Sequence, residues 1–165
     1  MNVLFHNAVD YRKKPLVFGL GVGLVLLATV GLAFGSLGGQ ASSVQADALH
    51  AQGKLRSIPA RAYSLHEIDT AKGILLREYV SPAGRVFAVT WQGAWMPDMR
   101  QLLGSYFDQY EQAAQQHQQA HPGRHPLAIQ TPGLVLTLDG HPGWFIGKAY
   151  IPDLVPQGVH AEELK

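Results

Sequence analysis

Three groups of side chains in this chain have types and spacings that chemistry can use. His117, His121 and His125 recur every fourth residue, and the first two share a helical face at the spacing of metal-binding histidine pairs. Imidazole holds zinc, copper or nickel without help from thiolates. Against such a centre, Pro122 breaks the helix before His125 and no carboxylate stands within the stretch. The competing reading is a solvated helix end whose histidines suit the negative C-terminus. Glu78 forms the second group. It lies between Leu76 and Val80 on a strand, with His66-Glu67 on the neighbouring one. A carboxyl on an apolar strand face takes a raised pKa and can act as an acid or base, unless an arginine such as Arg77 or Arg85 pairs with it across the sheet or it faces solvent. The third group is Trp95-Met96 in a loop, which either plugs the end of the sheet or anchors a partner or glycan.

The remaining chemistry is narrow. No GxSxG, HExxH, phosphate-loop or dinucleotide glycine pattern occurs, and Ser81 before Pro82 reads as a turn residue. The absence of cysteine excludes disulfides, thiolate zinc sites, iron–sulfur clusters and a lipidated N-terminal Cys. No cofactor is expected. A net charge of +1 over 165 residues excludes a strongly basic nucleic-acid binder and an acidic disordered tail. An apolar content of 47% supplies a packed core.

The clearest signal is N-terminal. Arg12-Lys13-Lys14 precedes an uncharged run from Pro15 to Phe34, at the border between a cleaved secretory signal and a retained anchor. Its glycines favour cleavage, and Ala33-Phe34-Gly35 places small residues at −3 and −1 of a cut before Ser36. The basic flank keeps to the cytoplasmic side, and the rest crosses. Residues 1–35 are thus expected to be a signal peptide or membrane anchor, and 36–165 a single small domain. Removing 1–35 takes three basic residues and Asp10, leaving ten Lys+Arg against eleven Asp+Glu. The basic excess therefore belongs to the export signal.

Within 36–165, Ser42 and Gln45 read as a capping box for a short helix to about Gln52, with Val44, Ala48 and Ala51 on one face and Gly53 ending it. Ile58–Arg61 reads as a connector. Strand-like runs at 62–69, 74–81 and 86–92 are joined by turns at 70–73 and 82–84, an antiparallel meander with Phe87, Val89 and Trp91 on one face. Asp98 caps the main helix, whose stripe of Met99, Leu102, Leu103, Tyr106, Phe107, Tyr110, Ala113 and Ala114 should lie across the sheet. Gly104 sits off that stripe, which suggests a close neighbour such as the N-terminal helix. Further strands are expected at 134–138 and 144–150, with a short one at 127–130, and one helical turn at 161–165. The expected fold is α+β: an antiparallel sheet of about five strands with a long helix on one face, preceded by the signal or anchor helix.

Arg77-Glu78-Tyr79-Val80-Ser81-Pro82-Ala83-Gly84, Val86-Phe87-Ala88-Val89, Trp91-Gln92-Gly93, Pro97-Asp98 and Leu102–Phe107 together resemble the bacterial family catalogued as domain of unknown function 2844. Leu37-Gly38-Gly39, Ser42-Ser43-Val44, Gly147-Lys148-Ala149-Tyr150 and Pro152 fit it too. The likeness covers nearly all of 36–165 and brings no activity with it; the Gln/His stretch at 115–125 looks like a local elaboration.

The expectation is an exported protein, periplasmic or anchored to the inner membrane with its C-terminal domain outside the cytoplasm. It serves as a non-catalytic binding or structural module for an envelope protein or cell-wall component, with contact at Trp95 and Met96. Membrane contact is confined to residues 15–34, and no nucleic acid is involved. The alternative is a small hydrolase or metal-dependent protein using Glu78 and His66, or the His117/His121 helix.

Overall fold

The computed structural model describes residues 36–123 and 125–165. The signal or anchor segment lies outside them. Seven strands form one antiparallel sheet: β1 (Lys54–Pro59), β2 (Ser64–Asp69), β3 (Ile74–Val80), β4 (Val86–Gly93), β5 (Leu127–Gln130), β6 (Val135–His141) and β7 (Trp144–Tyr150). Their order is β1-β2-β3-β4-β7-β6-β5, so two meanders meet where β4 pairs with β7. Three helices accompany the sheet: α1 (Ser43–His50), α2 (Met99–Leu103) and α3 (Phe107–Ala120).

The sheet exceeds the five expected strands because β1 is half-exposed and carries Lys54, Arg56 and Pro59. Those residues suit an edge strand, where one side of the ladder needs no partner. They also hide the apolar alternation by which a strand is recognised, and so the connector expected at 58–61 in fact begins on β1. β6 likewise runs on to His141, so the reversal into β7 is tighter than the five-residue loop expected at 139–143.

The main core lies between one sheet face and the helices. Ile68, Leu76, Val89, Trp91, Leu136 and Ala149 from the strands meet Val44 and Ala48 of α1 and Leu102 and Leu103 of α2. Phe87 does not share this face with Val89 and Trp91. Val80 pairs with Val86 and Tyr79 with Ala88, so Phe87 is the extra residue of a β-bulge and packs with Tyr79, Ala88 and Tyr150 on the other face. Residues 152–164, including one 3-10 turn at Pro152–Leu154 and another at Ala161–Glu163, cover that half of the second face.

The main helix is interrupted. Asp98 caps α2 as expected, its Oδ1 accepting from the Gln101 amide at 3.0 Å. Gly104, at φ 53° and ψ −122°, then ends α2, and a 3-10 turn at Gly104–Tyr106 leads into α3. The glycine supplies a backbone conformation that side chains resist. α3 has no fully buried residue; Phe107 is half-buried, with the Arg100 guanidinium 4.0 Å over its ring. Ser42 is not an N-cap hydrogen-bonder; instead Ser43 donates its hydroxyl to the Gln40 carbonyl at 2.8 Å.

Candidate functional site

A cavity of about 300 Å³ opens where α1, the 70–73 turn, β3 and the start of α2 converge. Ile74, Leu76 and Leu102 form apolar walls, and Met96 and Pro97 form part of its rim. At its base lie two carboxyl groups, Asp47 of α1 and Glu78 of β3. Each is there for a simple reason. Asp47 falls on the same helical face as Val44 and Ala48, which the core holds against the sheet. Glu78 alternates with Leu76 and Val80, so its side chain must point the same way.

The two acids differ in how they are satisfied. Asp47 Oδ2 accepts from the backbone N–H and the hydroxyl of Ser36, both at 3.2 Å, and its Oδ1 accepts from Gln101 Nε2 at 2.5 Å. Glu78 is 0% exposed, and its oxygens find no donor among the described residues; its polar neighbour is Asp47, to which it hydrogen-bonds when protonated. Burial, reinforced by the neighbouring charge of Asp47, pushes its pKa up to about 8. Burial also raises Asp47, against the opposing bonds from Gln101 and Ser36. A buried carboxylate without donors is costly, so Glu78 is neutral at pH 7 and the pair carries at most one negative charge. At the rim His50 Nε2 stands 3.5 Å from Asp98, both about half-exposed.

Among the described residues no arginine pairs with Glu78. Arg77 donates from Nε to Glu67 Oε1 at 2.8 Å, and Arg85 donates to the Gly38 carbonyl. Glu67 is held below the usual carboxylate range by hydrogen bonds from Arg56 and then Arg77. His66 does stand directly opposite Glu78 in the β2–β3 register. Its Nδ1 lies 2.8 Å from the Ser57 hydroxyl, and burial lowers its pKa, so it favours the neutral imidazole. Sequence reasoning missed Ser36, Asp47 and Gln101. The available signal was the spacing of Asp47 from Val44 and Ala48.

Trp95 is 63% exposed and does not plug the sheet, whereas Met96 beside it packs against the core. Trp144 is 47% exposed, together with Ile146 on the same strand. The three histidines do gather: ring centroids are 4.8 Å apart for His117 and His121 and 5.8 Å for His121 and His125. Even so, no three side chains among the described residues are arranged to hold a metal ion. In a broader groove on the opposite face, Arg77 is engaged by Glu67 and Lys148 by the Glu162 carbonyl.

These features define an α+β domain with one antiparallel sheet and an acid-floored pocket under its helices. The chain belongs to the family described as a protein of unknown function (DUF2844), whose model matches residues 33–164. No curated protein and no solved structure gives a significant match. Among the described residues no helix is long and apolar enough to cross a membrane.

Proposed function

We propose that residues 36–165 are a non-catalytic binding module of the bacterial envelope, exported by the segment at 15–34, which engages an envelope protein or cell-wall component through the Trp95–Met96 loop. The observation that carries this reading is the exposed Trp95 next to Met96 and Pro97 at the rim of the pocket. A large aromatic with few rotamers to lose makes an efficient interface anchor. The loop is stiffened from one side by Pro97 and the Asp98 cap, and from the other by the end of β4. The test is a recovery assay: folded Trp95→Ala protein, melting within about ±0.5 kcal/mol of the parent, should lose its envelope ligand. A variant that melts far lower would move Trp95 into the core and the contact elsewhere.

A second reading has an observation of its own. A neutral carboxyl that titrates near pH 8 at the base of a pocket, with His66 opposite it in the sheet, has the properties of a general acid. Turnover of an ester, peptide or glycan substrate that disappears in Glu78→Gln would establish a hydrolase in place of a binding module.

A further inference from the structure

The pocket contains a donor whose chemistry depends on where the chain begins. Ser36 is 1% exposed, and its backbone nitrogen already points at Asp47 Oδ2 from 3.2 Å. It is also the residue that follows Ala33-Phe34-Gly35. While residue 35 is attached, that nitrogen is a neutral amide. The hydrogen-bond donors around Asp47 are then neutral, Ser36 and Gln101, and Glu78, which shares a proton with Asp47, has no donor of its own.

We infer that cleavage between Gly35 and Ser36 turns this nitrogen into an α-ammonium that serves as the buried counter-ion of the Asp47–Glu78 pair, so that removal of the leader completes the folded domain. The inference rests on the export reading above and adds a structural purpose to the cut. The step is a peptide hydrolysis carried out by a leader-cleaving endopeptidase with water. The C–N bond breaks, the Gly35 carbonyl carbon gains the water oxygen, and the products are a carboxylate on the leader and an ammonium on Ser36. Atoms and charge balance without another reactant. Because Ser36 is enclosed once folded, the cut falls on the chain while it is still extended.

The physical argument is one of charge. Two buried acids whose nearest cationic group is the half-exposed His50 at the rim must share protons or remain destabilised, and breaking a buried ion pair leaves an uncompensated charge. An ammonium brings a full positive charge and three N–H donors, enough for Asp47 and for an oxygen of Glu78. The precursor is thereby kept less stable than the product, which suits a chain that must cross a membrane unfolded. The titratable groups that line the pocket with Ser36 are Asp47 and His50 of α1, Glu78 of β3, Lys72 of the 70–73 turn and Asp98 before α2, and His66 of β2 stands opposite Glu78 in the sheet register. Of these, Asp47 alone bonds the Ser36 nitrogen directly.

The test produces the full chain in an exporting bacterial host and compares it with a variant carrying one alanine inserted between Gly35 and Ser36. Mass spectrometry of the mature forms should give Ser36 and Ala-Ser36 as first residues. The Ser36 form should melt higher by at least about 5 °C at pH 6.5. An amine paired in the fold has its pKa raised above the unfolded value of about 8, so the advantage is complete below that pH and disappears as pH rises through the folded value. NMR titration of the Ser36 amine should place it above its ordinary range, and Asp47→Asn should bring it back. A native N-terminus elsewhere overturns the inference. So do equal melting temperatures at pH 6.5, or an unshifted amine in a protein that does begin at Ser36. A reporter fused to residues 1–45 separates these outcomes from failure of export itself, and Trp95→Ala separates them from failure of the binding reading.

Discussion

Glu78 is a buried acid with no donor of its own, and its titration is measurable as pH dependence. In a chain whose Ser36 nitrogen is still an amide, the folded state keeps the Glu78 proton until about pH 8, whereas the unfolded chain releases it near the ordinary 4.5. The folded state binds more protons across that window, so stability falls as pH rises from 4.5 to 8 and levels off above it. The raised Asp47 adds to the same slope. Glu78→Gln should flatten the slope and make the protein more stable at pH 8.5, as read by denaturant melts from pH 5 to 8.5. An unchanged slope would mean that Glu78 is ionised in the fold. Glu78 was legible as unusual from its place between Leu76 and Val80. Its partner was not, because Asp47 belongs to another element and their meeting is a matter of tertiary packing. The exposure of Trp95 was equally open in the sequence, where a loop aromatic reads as either plug or anchor.

At the scale of elements, β-strands with clean alternation and good turns were readable, as β3, β5 and β7 show. What stayed hidden was whatever broke the period: the charged edge strand β1, and the bulge that turns Phe87 away from Val89. The helix stripe from Met99 to Ala114 was also visible, but its break at Gly104 was not, since a glycine has the same letter whatever its φ. Gly104→Ala should cost about 1–3 kcal/mol through backbone strain, and a denaturant melt no lower than the parent's would show that the chain relaxes there. Gly147 makes a different demand. A Cβ at that position would stand 2.1 Å from the ring of Trp91, itself only 1% exposed. Gly147→Ala should therefore destabilise by roughly 1–3 kcal/mol or more through overpacking, with the loss of ordered Trp91 reported by near-UV circular dichroism.

For the molecule as a whole, the described residues form a sheet closed on one face by helices and on half of the other by its C-terminal stretch, with an acid-floored pocket under the helices, and the proposed export by residues 15–34 is tested apart from them. A reporter active only outside the cytoplasm, fused after residue 45, should be active; an inactive fusion would cancel the envelope setting. The central claim is that the Trp95 loop is the contact surface. Trp144 supplies the fair comparison, being a second exposed tryptophan, 47% against 63%, on a strand away from the Met96–Pro97 rim. The most direct measurement is therefore recovery of the envelope ligand by the parent, Trp95→Ala and Trp144→Ala domains at matched folded concentration. The account predicts that Trp95→Ala loses the ligand while Trp144→Ala retains it. Retention by Trp95→Ala, or loss through Trp144→Ala alone, would contradict it.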